Sequence, residues 1–83
     1  MIARKNPFVI QRHLNGKNYI RYEHAMFELD EIGLIIWESL DGTTDDKEIA
    51  QKIASKFSQD TTIIQQDVIE YLNDLKKEKL ITF

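Results

Sequence analysis

The chain has 83 residues, 42% of them hydrophobic and 30% charged, which fits one folded domain over residues 1–83. It contains no cysteine, so disulfide bonds, thiolate zinc sites, iron–sulfur clusters and a cysteine nucleophile are excluded. The formal net charge of −3 argues against a nucleic-acid partner, because phosphate groups bind to basic surfaces.

The first third of the chain has the residue pattern of a β-meander. Residues 8–14 and 19–22 are rich in β-branched and aromatic side chains, and the Asn-Gly step between them favours a tight hairpin. A third run, Ala25–Leu29, alternates between two faces, one of which carries Phe27 and Leu29. These patterns predict a three-stranded antiparallel sheet.

A first helix is predicted from Asp30, whose side chain is suited to an N-cap, to the end of an apolar periodicity at Leu40. Gly33 lies inside this helix at a cost of about 1 kcal/mol relative to Ala, which indicates close packing against another element. The helix is expected to end at Asp41-Gly42, in a turn between helices. Its expected inward residues are Ile32, Ile35, Ile36 and Leu40.

Two further helices are predicted after that turn. Thr44 is the expected N-cap of the second helix, and Lys47 stands where a capping box has Glu or Gln. This helix is expected to end near Phe57, with inward residues Ile49, Ile53, Ala54 and Phe57. The third helix begins near Thr61 or Thr62 and carries an apolar stripe of Ile64, Val68, Tyr71, Leu72 and Leu75. The apolar residues 80–83 are expected to pack back onto the sheet or the core.

No arrangement of side chains in the sequence matches a known catalytic or metal-binding pattern. The histidines His13 and His24 lack the spacing of metal ligands, even with Glu23 beside them. The carboxylates at positions 45, 46 and 48 are explained by the first turn of a helix, where the helix dipole favours them. The glycines form no phosphate-binding loop, and no serine lies in a nucleophile elbow. We therefore expect a protein that is not an enzyme and that binds no metal or cofactor.

No segment of the sequence has the length and hydrophobicity of a membrane span. The longest uninterrupted apolar run covers residues 34–37, far short of the roughly 20 residues that cross a bilayer. The first residues of the chain meet polar side chains before a signal-peptide core is formed. We expect a cytoplasmic protein with no membrane partner.

The third predicted strand, Ala25–Leu29, indicates a binding cleft. It is short, and its outer backbone groups are open to an added peptide strand. With the third helix beside it, strand and helix would form the two walls of a groove.

Several segments carry a family signature. Residues 29–37 read LDEIGLIIW and residues 40–44 read LDGTT, followed by Glu48-Ile49. The later positions that fit are Asp67-Val68-Ile69, Tyr71-Leu72, Leu75 and Leu80-Ile81. Together, from about residue 8 onward, they resemble the PqqD-like family, whose members are also called RiPP precursor recognition elements. The resemblance implies an α+β, winged-helix-like fold, with a three-stranded antiparallel β-sheet followed by a three-helix bundle.

The resemblance also implies a function and a site. It implies a non-catalytic module that binds the leader segment of a ribosomally made precursor peptide and delivers it to a modifying enzyme: a radical-SAM protein, a cyclase or a leader peptidase. In that family the leader adds as a strand to the third strand and lies against the third helix. The implied peptide-binding residues are Ala25, Met26, Phe27, Glu28, Leu29, Ile64, Val68, Tyr71, Leu72, Leu75 and Lys76.

The residues alone leave some alternatives open. Both faces of Ala25–Leu29 are candidates for the groove, Tyr71 fits a groove or the core, and Lys76 fits a leader carboxylate or a helix C-terminus. A winged-helix DNA-binding regulator shares the topology, and a regulatory subunit without a peptide groove is a further alternative. We expect a monomer or a weak dimer, because an open sheet edge can pair with itself.

Overall fold

Six short strands and three helices make up the chain in a computed structural model, which describes residues 1–83. The predicted order of an antiparallel sheet followed by three helices is confirmed, and a second small sheet is added to it. In chain order the elements are β1 (Ile2–Lys5), β2 (Ile10–Leu14), β3 (Lys17–Tyr22), β4 (Ala25–Leu29), α1 (Glu31–Glu38), β5 (Asp41–Asp45), α2 (Asp46–Phe57), α3 (Thr61–Lys77) and β6 (Ile81–Thr82).

The predicted meander is the sheet with strand order β2-β3-β4. Its first turn uses Asn15 and Gly16, both with positive φ, as the Asn-Gly step favours. β2, the first strand of this sheet, begins at Ile10, whereas the sequence predicted a start at residue 8. The reason is a turn before it, in which the backbone N–H of Phe8 donates to the side chain of Asn6 and that of Val9 donates to the Asn6 carbonyl.

A second antiparallel sheet, with strand order β5-β1-β6, was not predicted. Its central strand, β1, pairs with β5 from the middle of the chain and with β6 from the end. Segment 41–45 has the composition of a turn, and the Asp41 carboxylate does accept hydrogen bonds from the backbone N–H groups of Thr43 and Thr44. Gly42, which we expected in an interhelical turn, lies within β5 with φ of 82°.

Side-chain caps define where the helices begin. Asp30 caps α1 as predicted, by accepting from the backbone N–H of Gly33. The cap of α2 is Asp45 and not Thr44, because the Thr44 hydroxyl and amide are already bound to the Asp41 carboxylate. α3 begins at Thr61, within the predicted range, after the N-cap Asp60. No helix combines the length and the apolar character that crossing a membrane requires.

The core lies between the meander sheet, the helices and the second sheet. Of the segment 80–83 predicted to pack back, Leu80 and Ile81 are fully buried, whereas Phe83 is 46% exposed. Ile32 is 39% exposed, contrary to its predicted inward position, because the side of α1 that faces the core carries Gly33, Ile36 and Trp37. Trp37 takes an inward position, and its Nε1–H donates to Gln11 of β2 at 3.2 Å. The buried hydrophobic cluster consists of Ala3, Ile20, Leu29, Ile36, Trp37, Leu40, Ile49, Ala50, Ile53, Val68, Leu72, Leu75, Leu80 and Ile81.

Candidate functional site

The outer edge of β4 has no strand beside it. β4 is the last strand of the meander sheet and pairs only with β3. The two-residue loop makes Tyr22 and Ala25 a hydrogen-bonded pair, and bonded pairs alternate along an antiparallel ladder. The N–H and C=O groups of Met26 and Glu28 therefore point away from β3. They also take no part in the backbone hydrogen bonds made outside the helices and strands.

Helix α3 runs alongside this edge in the opposite direction. Near the end of β4, the Tyr71 hydroxyl lies only 2.7 Å from where a Cβ on Gly33 would stand. Near the start of β4, residues 22–25 and residues 77–79 together line a depression of about 260 Å³. The free edge of β4 and the side of α3 that carries Tyr71 therefore bound a candidate groove.

The site residues predicted on β4 divide between its two faces. Phe27 is partly buried and packs against the core, and Leu29 is fully buried within it. Ala25 shares their face, and it also lines the depression at the start of the strand. Met26 and Glu28 are exposed on the opposite face of the sheet, so their backbone groups border the groove and their side chains do not.

The site residues predicted on α3 divide in the same way. Val68, Leu72 and Leu75 are buried core residues, so they support the groove from below and do not line its surface. Tyr71 and Ile64 are partly buried at the margin of the core. The Nζ of Lys76 lies over the ring of Phe83, 4.8 Å from the ring centre, away from the depression. Its neighbour Lys77 lines the depression instead.

Tyr71 is held against the start of α1. Burial, together with the nearby Asp30 carboxylate, whose charge disfavours a phenolate, raises the pKa of its hydroxyl to about 12. Tyr71 is therefore a neutral hydrogen-bond donor at physiological pH. Gly33, singled out in the sequence for close packing, is the residue that makes room for this hydroxyl.

The charge of the groove differs between its two ends. Asp67 and Asp74 are exposed and stand four residues before and three residues after Tyr71, so they share its side of α3. At the other end, Lys77 and Lys79 line the depression beside the β3–β4 turn together with Glu23 and Glu78, so the formal charges there balance. Sequence reasoning missed this arrangement because it followed the apolar stripe. The three-and-four spacing around Tyr71 contained the signal.

Solved structures of PqqD-type domains have the same fold. The solution structure of the PqqD truncation of Methylobacterium extorquens PqqCD, a stand-alone RiPP recognition element, matches with a TM-score of 0.82 at 21% identity, over 99% of this chain and 89% of that one. TbiB1 in complex with the TbiA(beta) leader peptide matches with a TM-score of 0.79 at 22% identity, over 94% and 93%. PqqD from Xanthomonas campestris matches with a TM-score of 0.66 at 29% identity, over 94% and 89%.

Sequence comparison gives the family. PqqA binding proteins from Xanthomonas oryzae pv. oryzae PXO99A and Xanthomonas campestris pv. campestris B100 are each 41% identical over 54 residues, which is 65% of this chain and 59% of each relative. The match thus spans less than two thirds of those relatives. The family model for coenzyme PQQ synthesis protein D (PqqD) matches residues 14–81. Because that match covers most of the sequence, the chain belongs to the PqqD family.

Proposed function

We propose that this chain is a non-catalytic recognition element that binds the leader segment of a ribosomally made precursor peptide. The observation that carries the proposal is the unpaired edge of β4, with α3 beside it: Tyr71 approaches Gly33 at one end, and residues 77–79 line a depression with residues 22–25 at the other. An extended peptide that adds to a free sheet edge gains main-chain hydrogen bonds and places alternate side chains in pockets. The leader would form the fourth strand of the meander sheet.

Met26 and Glu28 would fix the register of the bound leader. Each offers one N–H and one C=O at the free edge, and each hydrogen bond contributes about 0.5–1.5 kcal/mol net. Apolar leader side chains would pack between Phe27 and Tyr71, each contributing about 1.5–3 kcal/mol when fully buried. After the cost of ordering the peptide, we expect a binding free energy of about −8 to −12 kcal/mol.

The relatives support this assignment and suggest its setting. The Xanthomonas proteins are named for binding PqqA, and TbiB1 was solved with a leader peptide bound. We infer that this chain likewise holds a precursor for a separate enzyme in the cytoplasm. A radical-SAM protein, a cyclase or a leader peptidase would carry out the chemistry.

The proposal is tested by blocking strand addition at β4. We expect Glu28→Pro to abolish binding of a labelled leader peptide, taken from a short reading frame adjacent to this chain's gene and followed by fluorescence anisotropy. Proline removes one edge N–H but leaves the β3–β4 ladder intact, because that N–H does not face β3.

His13→Pro is the matched control. By the same alternation, the His13 N–H faces the free edge of β2, on the far side of the sheet. This variant should bind the leader within about twofold of the wild type. Equal binding by both proline variants would rule out addition at β4. Salt-sensitive binding of a duplex DNA probe, with no leader binding, would favour a winged-helix DNA-binding protein instead.

A further inference from the structure

The meander sheet has a second face, turned away from the helices, that no element covers. Side chains from all three strands surround a depression of about 410 Å³ on this face. Three large apolar residues here are well exposed: Ile10 at 42%, Leu14 at 58% and Met26 at 64%. Tyr19 adds an aromatic ring to the same depression. Apolar side chains gathered in this way on one sheet face are typical of an interaction site.

The charge of this face is opposite to that of the chain. Arg12 and Arg21 line the depression, and neither forms an ion pair. The one carboxylate that strand alternation places there, Glu28, lies 3.8 Å from Lys17 and is balanced by it. The face therefore carries two uncompensated positive charges on a chain whose net charge is −3. A partner with acidic side chains around apolar ones would be complementary.

A second copy of this chain fits the face poorly. A symmetric dimer would bring the same patch of both copies together, so Arg12 and Arg21 of one copy would meet those of the other. Like charges placed across an interface cost several kcal/mol. The face is therefore suited to a different protein.

The face also adjoins the proposed peptide site through β4. A leader strand added beside β4 would extend the sheet, and alternate leader side chains would lie on this same face. A protein docked there would touch both the recognition element and the bound peptide. We propose that the outer face of the β2-β3-β4 sheet docks an acidic segment of the enzyme that modifies the bound peptide, an inference that rests on the proposed leader-binding function.

Charge reversal tests this docking surface. The probe is the purified peptide-modifying enzyme encoded beside this chain's gene, titrated by calorimetry with and without saturating leader peptide. Arg12→Glu and Arg21→Glu should each weaken enzyme binding by about tenfold or more and leave leader affinity within about twofold. Leu14→Ser should also weaken enzyme binding, because Leu14 is an exposed anchor and not a core residue. As the control, Lys47→Glu makes the same charge change at an exposed position on α2 and should leave enzyme binding unchanged.

Each alternative gives a distinct result. Enzyme binding that is absent, or unchanged in both arginine variants, would overturn the docking proposal even if the leader still binds. Absence of leader binding by the wild-type protein would instead overturn the proposed function, since leader affinity is measured separately. Self-association seen by sedimentation and lost on charge reversal would assign the face to a second copy of the chain. Binding to single-stranded RNA that is lost on charge reversal would assign it to nucleic acid.

Discussion

At the scale of single residues, one glycine links the fold to the candidate groove. A Cβ at position 33 would stand 2.7 Å from the Tyr71 hydroxyl and 3.1 Å from Oδ1 of Asp30. Alanine would otherwise be favoured inside a helix by about 1 kcal/mol. Gly33 therefore lowers the stability of α1, but its lack of a Cβ leaves room for the Tyr71 side chain at the start of that helix.

A double-mutant cycle tests this reading of Gly33. Removing the hydroxyl with Tyr71→Phe relieves the closest approach, so the nearest atoms to the new Cβ become Asp30 Oδ1 at 3.1 Å and the ring carbon Cζ at 3.4 Å. We expect Gly33→Ala to raise the free energy of unfolding by about 0.5–1 kcal/mol in the Tyr71→Phe background and to give no gain in the wild type. Urea denaturation of the four proteins measures both effects. Equal gains in the two backgrounds would show that the hydroxyl is not the obstacle.

At the scale of elements, the sequence predicts what local patterns determine. The Asn-Gly hairpin, the cap at Asp30 and the start of α3 follow from turn and capping chemistry, and the structure has them as expected. The strands of the second sheet do not follow, because β5 has a turn-like sequence and β6 has two residues. Only long-range pairing with β1 makes these segments strands. The groove was predictable as a strand beside a helix, and its charged side could have been found from the spacing of Asp67 and Asp74 around Tyr71.

The corrected cap of α2 gives a prediction at this scale. The Asp45 carboxylate accepts from the backbone N–H of Glu48 at 2.8 Å, whereas Thr44 is occupied by the Asp41 turn. We expect Asp45→Ala to lower the free energy of unfolding by about 1 kcal/mol, the typical value of an N-cap. Gly at the same position should recover most of that loss, because Gly is tolerated as a cap. If urea denaturation gave Asp45→Ala the same free energy of unfolding as the wild type, the N-cap of α2 would be Thr44 and not Asp45.

At the scale of the whole molecule, β1 joins distant parts of the chain. It pairs with β5 on one side and with β6 on the other, and Ala3 within it is fully buried. The backbone N–H of Asp46, at the start of α2, also donates to the Met1 carbonyl at 3.1 Å. The family match begins at residue 14, yet the packing of both the middle and the end of the chain depends on residues before it.

Deletion of residues 1–5 should therefore destabilise the whole molecule. A domain of this size has a free energy of unfolding of about 4–12 kcal/mol, at roughly 0.05–0.15 kcal/mol per residue. Losing β1 would expose Leu80 and Ile81, now fully buried, at about 1.5–3 kcal/mol each, and would leave β5 and β6 without a partner. We expect the deletion to lower the free energy of unfolding by at least about 3 kcal/mol and to broaden the urea transition followed by circular dichroism. It should also weaken leader binding, because Leu80 closely follows the Lys77 end of the groove. Removing only the exposed Phe83 is the control and should change stability by less than about 1 kcal/mol. A 6–83 fragment as stable as the full chain would show that the meander and helices fold without the second sheet.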